Sequence, residues 1–466
     1  MKNLATTILL LLSLGIFACV LRPLRHDSLA RPATPDENKV RAYAFFMSGI
    51  IHELNHRAEE AVQAYQKALA SDPSAFEARI RLGTLLIGTR EASAAVPWLE
   101  EAKRLDPASY RARFLLATAL MEAGRNEEAI GEFRAVIELS PNEVSPYLLL
   151  GNLLSQQQKV DQALEVYRRA AENHPQESIF WFRMGMLYSE LGEHRQAVEK
   201  FQRTVDLRPD SIQACLALAL AYELNRETDK AVAQYERVAQ MDPLNSEVYQ
   251  RLGTLYFQAG EMEKALDWFQ LLARLTPNSP RVFFLLGATH MELKDYSSAL
   301  EEFLRAYTLG DESDLIHFKL GAAYERTGKF DEAVDHFERA IGLNPANAYA
   351  LNYLGYMYAE RAINLDKAVE LVSKALEIEP DNGAFVDSLG WAYFQKGLVD
   401  KAVEELKRAA SLLPDDPEIL EHLGDALQAQ GRHARAITEW EKALGAEPDN
   451  PNRLREKIES LRKDIH

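Results

Sequence analysis

Residues 178–211 read SIFWFRMGMLYSELGEHRQAVEKFQRTVDLRPDS. The stretch is one helical hairpin with its punctuation. Gly192 suits the left-handed residue that ends a first helix. Pro209 cannot continue a second helix and ends it. Gly185 and Ala197 are small and let two antiparallel backbones approach. Trp181, Met184, Tyr188 and Phe201 are large and fill the space around that contact.

Working outward, the closing proline recurs. It stands at Pro73, Pro107, Pro141, Pro175, Pro209, Pro243 and Pro277, each 34 residues after the last. Asp311 fills the next slot, Pro345 resumes the phase, and Pro380, Pro414 and Pro448 follow. With that proline at position 32, repeats start at residues 42, 76, 110, 144, 178, 212, 246, 280, 314, 348, 383 and 417. Position 8 is Gly or Ala throughout, from Gly49 to Gly424, and position 20 is always Ala, from Ala61 to Ala436. The tenth repeat needs one extra residue in the turn around Ala362–Leu365. Pro97 falls inside a second helix and is expected to kink it.

This combination resembles the tetratricopeptide repeat (TPR) family over about residues 42–450. The resemblance implies an all-α fold: a right-handed superhelix, or α-solenoid, of about twelve helix-turn-helix repeats. Single hairpins cannot bury their apolar face, so they stack into one core and need a polar-faced cap at the end. Leu454, Ile458, Leu461 and Ile465 recur at helical spacing, so residues 451–466 read as the capping helix.

Residues 1–19 read as an export signal. Lys2 precedes an apolar run from Leu4 to Phe17, a signal-peptide pattern. Ile16-Phe17-Ala18-Cys19 resembles a bacterial lipobox, which implies acylation of Cys19 and an outer-membrane lipoprotein facing the periplasm. An uncleaved inner-membrane anchor and ordinary secretion stay open. Residues 20–41, with Pro23, Pro32 and Pro35, suit a linker. Cys19 and Cys215 are the two cysteines; Cys215, in an apolar slot, reads as a buried thiol.

The chain of 466 residues is acidic, with 53 Lys and Arg against 70 Asp and Glu. That argues against nucleic-acid binding, which needs a basic footprint. Chemistry is sparse. His52-Glu53-Leu54-Asn55-His56 matches H-E-x-x-H, which in a zinc protease requires both histidines on one helix. Here His56 falls where the first helix should end. We therefore expect no enzyme, no catalytic residues, no cofactor and no metal site; a zinc metalloprotease through His52, Glu53 and His56 is the weakest alternative.

In the resembled family, positions 2, 5, 9 and 12 of the first helices line a partner-binding groove. These slots are apolar in two stretches. The first comprises Ile179, Phe182, Met186, Leu216 and Leu220; the second comprises Phe284, Met291, Phe318, Tyr349, Tyr356, Trp391 and Phe394. Aromatics and Met are typical anchors at binding surfaces. In the last repeat Glu418, Glu421 and Asp425 take over these slots, which suits either a basic segment of a partner or a solvated end. Position 5 never holds Lys, so a carboxylate clamp for chaperone C-termini is rejected.

The motifs Asn352-Tyr353-Leu354-Gly355-Tyr356-Met357, Asp387-Ser388-Leu389-Gly390-Trp391 and Glu421-His422-Leu423-Gly424-Asp425 resemble the C-terminal block of long bacterial envelope TPR proteins. Some of those are lipoprotein adaptors of carboxyl-terminal processing proteases. The resemblance implies a non-enzymatic scaffold or adaptor for protein or peptide partners, presenting substrates to an envelope protease. An assembly factor for exported polysaccharide or pilus machinery is the alternative.

Overall fold

A computed structural model describes residues 36–448 and 450–465. The signal peptide, Cys19 and most of the linker lie outside the described residues. Among those described there are twenty-five helices and no strand, an all-α repeat solenoid. No described helix is long and apolar enough to cross a membrane. The chain divides into two compact bodies, one ending at Phe180 and the other beginning at Trp181.

From the second repeat on, first helices begin at Phe76, Tyr110, Val144, Ser178, Ile212, Ser246, Pro280, Asp314, Ala348, Gly383 and Pro417. The residue before each is a natural N-cap in most repeats. Ser109, Ser211, Asn245, Ser313, Asn347, Asn382 and Asp416 accept a hydrogen bond from a backbone N–H of the first turn. Such caps satisfy donors that the helix itself leaves unpaired. The first helix of repeat one departs from the expected start at Ala42. It runs Glu37–Leu54, because Asp36 accepts from the N–H of Asn38 and caps it one turn earlier. Glu37–Arg41 therefore belong to the helix rather than to a linker.

The turn between helices repeats one backbone device. All twelve residues at position 15 have positive φ. Six are glycine, such as Gly192 at +73°; the others are His56, Arg90, Gln158, Arg226, Lys294 and Ala362. Repeat ten accommodates its extra residue in this turn. Ala362 and Asn364 are both left-handed, and the second helix starts at Leu365.

The space at position 8 has a different use from the one its size suggested. A Cβ on Gly185 would lie 2.6 Å from the Phe201 ring, and one on Gly253 would lie 2.4 Å from Phe269. The glycine thus makes room for the large residue at position 24 of its own hairpin, rather than for backbone alone. Those position-24 side chains, Tyr65 through Phe337 to Trp440, are buried, as are all twelve alanines at position 20.

The expected kink at Pro97 does not interrupt its helix, which runs Ala92–Leu105. Pro97 and Ser93 are both exposed, so the carbonyl that loses its donor can be solvated. At the other end, Pro451–Ile465 forms a helix with Leu454, Ile458 and Leu461 buried against the last repeat, in one cluster with Trp440. Covering the end of a stacked core with such a helix removes apolar area worth ~25 cal/mol per Å².

Candidate functional site

The candidate site is built on first helices, where positions 5 and 9 sit one turn apart and share a face. In the first stretch, Ile179 is half-buried at the end of the first body. Within the second body, Phe182 leans on Phe201 with ring centroids 5.5 Å apart, and Leu216 packs on the same core. Met186 and Leu220 are exposed.

The second stretch is more continuous. Phe284 rests on Phe303, and Met291 packs against the core beside it. Phe318 touches Phe337, Tyr349 and Tyr353, and Tyr349 meets Phe385 edge-on at 5.5 Å. Tyr349 is half exposed. Further on, Trp391 stacks on Phe394 at 5.0 Å and on His422 at 4.0 Å. Half-buried rings like these have fixed positions yet still offer a face, which is what a binding anchor requires.

Tyr356 lines a cavity of about 780 Å³ formed by repeats nine to twelve and the cap. Its phenol donates to Glu418 at 2.6 Å, across 62 residues of sequence. Burial and the neighbouring Glu418 carboxylate push the phenol pKa up, so it stays a donor. Glu360, Glu325, Arg326, Arg361 and Phe330 share the cavity wall. Arg361 stacks on the Phe330 ring at 4.1 Å, a cation–π contact.

Beneath Trp391 lies a polar cluster that residue types alone did not announce. His422 Nδ1 is 3.1 Å from both oxygens of Asp387, and both residues are buried. Burial pulls the His422 pKa down, but the Asp387 carboxylate outweighs it and holds the imidazole above its usual value. The faint signal was position 5, which turns polar in the last three repeats as Asn352, Asp387 and Glu421.

The acidic slots of the last repeat are answered from within the chain. Lys457 of the capping helix donates to Glu421 at 2.7 Å and to Asp425 at 2.6 Å, and Arg453 also reaches Glu421 at 2.7 Å. Burial alone would raise the Glu421 pKa; Arg453 and Lys457 hold it below the usual range. Glu421 and Asp425 therefore already have basic partners, while Glu418 pairs with Tyr356. This replaces the expectation of a partner's basic segment at Glu421 and Asp425.

The H-E-x-x-H match is not a zinc helix. The helix ends at Leu54, and His56 has φ +57° beyond it. Among the described residues no group of three or more His, Cys, Asp or Glu is placed to hold a metal. Cys215 is fully buried, and desolvation pushes its thiol pKa up.

A family model described as tetratricopeptide repeat matches residues 46–110, 103–144, 148–212, 216–280, 318–383 and 388–451. No curated protein matches the chain by sequence. Among solved structures, the MamA protein is 29% identical, over 36% of this chain and 91% of its own, with a TM-score of 0.33. The Cut9–Hcn1 hetero-tetramer of the APC/C is 13% identical, over 90% and 96% of the two chains, with a TM-score of 0.45. Yeast Tom70 is 16% identical, over 92% and 97%, with a TM-score of 0.38.

Proposed function

The chain belongs to the tetratricopeptide repeat family, and from that premise we propose that it is a non-enzymatic scaffold or adaptor that binds protein or peptide partners along its first-helix face. The observation that carries this reading is the aromatic surface of half-buried Phe318 and exposed Tyr349, anchored from below by the buried ring of Phe385. Phe318 and Tyr349 stand at positions 5 and 2 of their repeats, which face outward from the core, whereas Phe385 stands at a core position beneath them. The cavity beside this surface, with Tyr356 and both signs of charge on its wall, adds polar groups that can fix a peptide's direction.

The finer reading is an envelope adaptor. It is supported by the apolar leader, by the lipobox-like Ile16-Phe17-Ala18-Cys19, and by the motifs of the last three repeats. On this reading acylated Cys19 tethers the solenoid to the outer membrane from the periplasmic side, where it presents substrates to a protease.

Two experiments test it. Affinity capture from detergent-solubilised membranes should recover defined partners that are lost with Tyr349→Glu but retained with a change on an outward surface such as Glu370→Gln. Equal recovery by a folded Tyr349→Glu variant would remove the aromatic run from the binding surface. Metabolic labelling with a fatty acid should mark the wild type and not Cys19→Ser; labelling of both refutes acylation at Cys19.

A further inference from the structure

We infer that the first helix, Glu37–Leu54, is the seam of a two-fold symmetric homodimer. This helix is 18 residues long, against 13 for the other first helices, and its added turn contributes Val40. Val40, Tyr43, Met47, Ile51 and Leu54 are all exposed; Tyr43 is 66% and Leu54 74% accessible. In later repeats the position of Ile51 is buried, as at Leu153 and Leu255. The far end of the second body carries its own covering helix, whereas this end is open among the described residues.

The pattern identifies the occupant. At 100° per residue the five side chains fall within about 40° of Met47. Exposed Ala44 and half-buried Ile50 flank them about 60° to either side, three residues before and after Met47. The stripe is also a palindrome. Val40 and Leu54 stand seven residues either side of Met47, and Tyr43 and Ile51 stand four either side. In an isologous contact residue i meets j while j meets i, and a palindromic stripe fulfils that condition. An antiparallel pair about Met47 sets Val40 beside Leu54 of the second copy, Tyr43 beside Ile51, and Met47 on itself. Lys39 and Glu53 lie on one flank of the stripe. The same pairing brings Lys39 close to Glu53 of the second copy, a carboxylate that also holds Arg81 at 3.3 Å. A single helix pair of about 27 Å lies at the low end of stable interface size, so the dimer is concentration-dependent.

The test is disulfide trapping in the full chain, in detergent, on a Cys19→Ser background; Cys215 is buried and does not interfere. Met47→Cys should oxidise to a covalent dimer by itself. Tyr43→Cys and Ile51→Cys should each stay monomeric alone and cross-link when mixed. Met47→Glu, with unchanged helical circular dichroism, should shift the light-scattering mass at tens of micromolar from two chains towards one. A wild type that is monomeric at that concentration with no Met47→Cys dimer overturns the inference, and is the result expected if residues 1–35 cover the stripe instead. Self-linking by Tyr43→Cys alone overturns it in favour of a parallel pairing.

Discussion

The imidazole Nδ1 of His422 sits 3.1 Å from both carboxylate oxygens of Asp387, a residue one repeat away. The pair is buried, and Trp391 stacks flat on the imidazole at an interplanar angle of 15°. Three groups from two neighbouring first helices thus form one unit beneath the aromatic surface. A protonated imidazole suits both contacts, since it answers the Asp387 charge and faces the Trp391 π-cloud.

Asp387→Asn should therefore destabilise repeats eleven and twelve in a pH-dependent way. His422 has a raised folded pKa. Its contribution is complete below its unfolded value near 6.5 and is lost as pH rises through the higher folded value. Removing the partner of a buried charge costs on the order of 3 kcal/mol. Urea unfolding at pH 6 should show that loss, shrinking as the pH rises past the folded value. An Asp387→Asn deficit that is the same at pH 6 and pH 9 would mean that His422 is neutral in the native state.

Much of this architecture was legible because each repeat restates it. Pro209, Gly192 and Ala197 carry local instructions, and eleven further copies of the phase corroborate them. The site was less legible, for a geometric reason. Asp387 and His422 are 35 residues apart and meet only when two repeats stack. Glu421 and Asp425 suggested an external basic partner, because nothing in their own repeat shows that Lys457 of the capping helix returns to them. Gly185 was read as a backbone contact because the ring that it accommodates, Phe201, lies on the other helix.

A pair of histidines should make repeats eight and nine sensitive to acid. His317 and His336 approach through their Nδ1 atoms at 2.9 Å, with Tyr307 edge-on to His317 and Tyr324 stacked on His336. Such a contact needs one nitrogen without a proton. Burial, then His317 and Arg339, push the His336 pKa down to about 4. The folded state therefore binds fewer protons than the unfolded chain between about pH 4 and 6.5, and stability falls as pH drops through that window. The loss is on the order of 2 kcal/mol near pH 4. Hydrogen exchange at pH 7 and pH 4.5 should show selective loss of protection around residues 296–343 that is reduced in His336→Gln. Equal protection at both pH values refutes this.

The left-handed turns offer a gain in stability. Gln158 and Lys294 hold φ near +60° without glycine's freedom. A non-glycine residue there bears roughly 1–2 kcal/mol of steric strain, partly offset by the entropy that glycine loses on folding. Gln158→Gly and Lys294→Gly should each stabilise by about 0.5–1 kcal/mol. Their midpoints in urea should rise with unchanged slopes. A fall in either midpoint would show that the side chain's contacts outweigh the strain.

The fit of glycine to ring can be tested against the chain's own exceptions. Gly185 has no room for a Cβ beside Phe201, where the contact would be 2.6 Å. Ala117 and Ala219 occupy the same position over Phe133 and Tyr235, and all four of these residues are buried. Those two hairpins therefore accommodate the extra methyl, by a ring shift or by a slightly wider helix pair. In Gly185→Ala the ring must move within a core already shaped around it, which typically costs 1–3 kcal/mol. The reverse change, Ala219→Gly, leaves a methyl-sized void and adds glycine's entropic cost, together about 1–2 kcal/mol. Both variants should lower the thermal midpoint, and pairing Gly185→Ala with Phe201→Leu should recover part of the first loss. A double variant no more stable than Gly185→Ala would show that the helix backbones, rather than the Phe201 ring, set the limit.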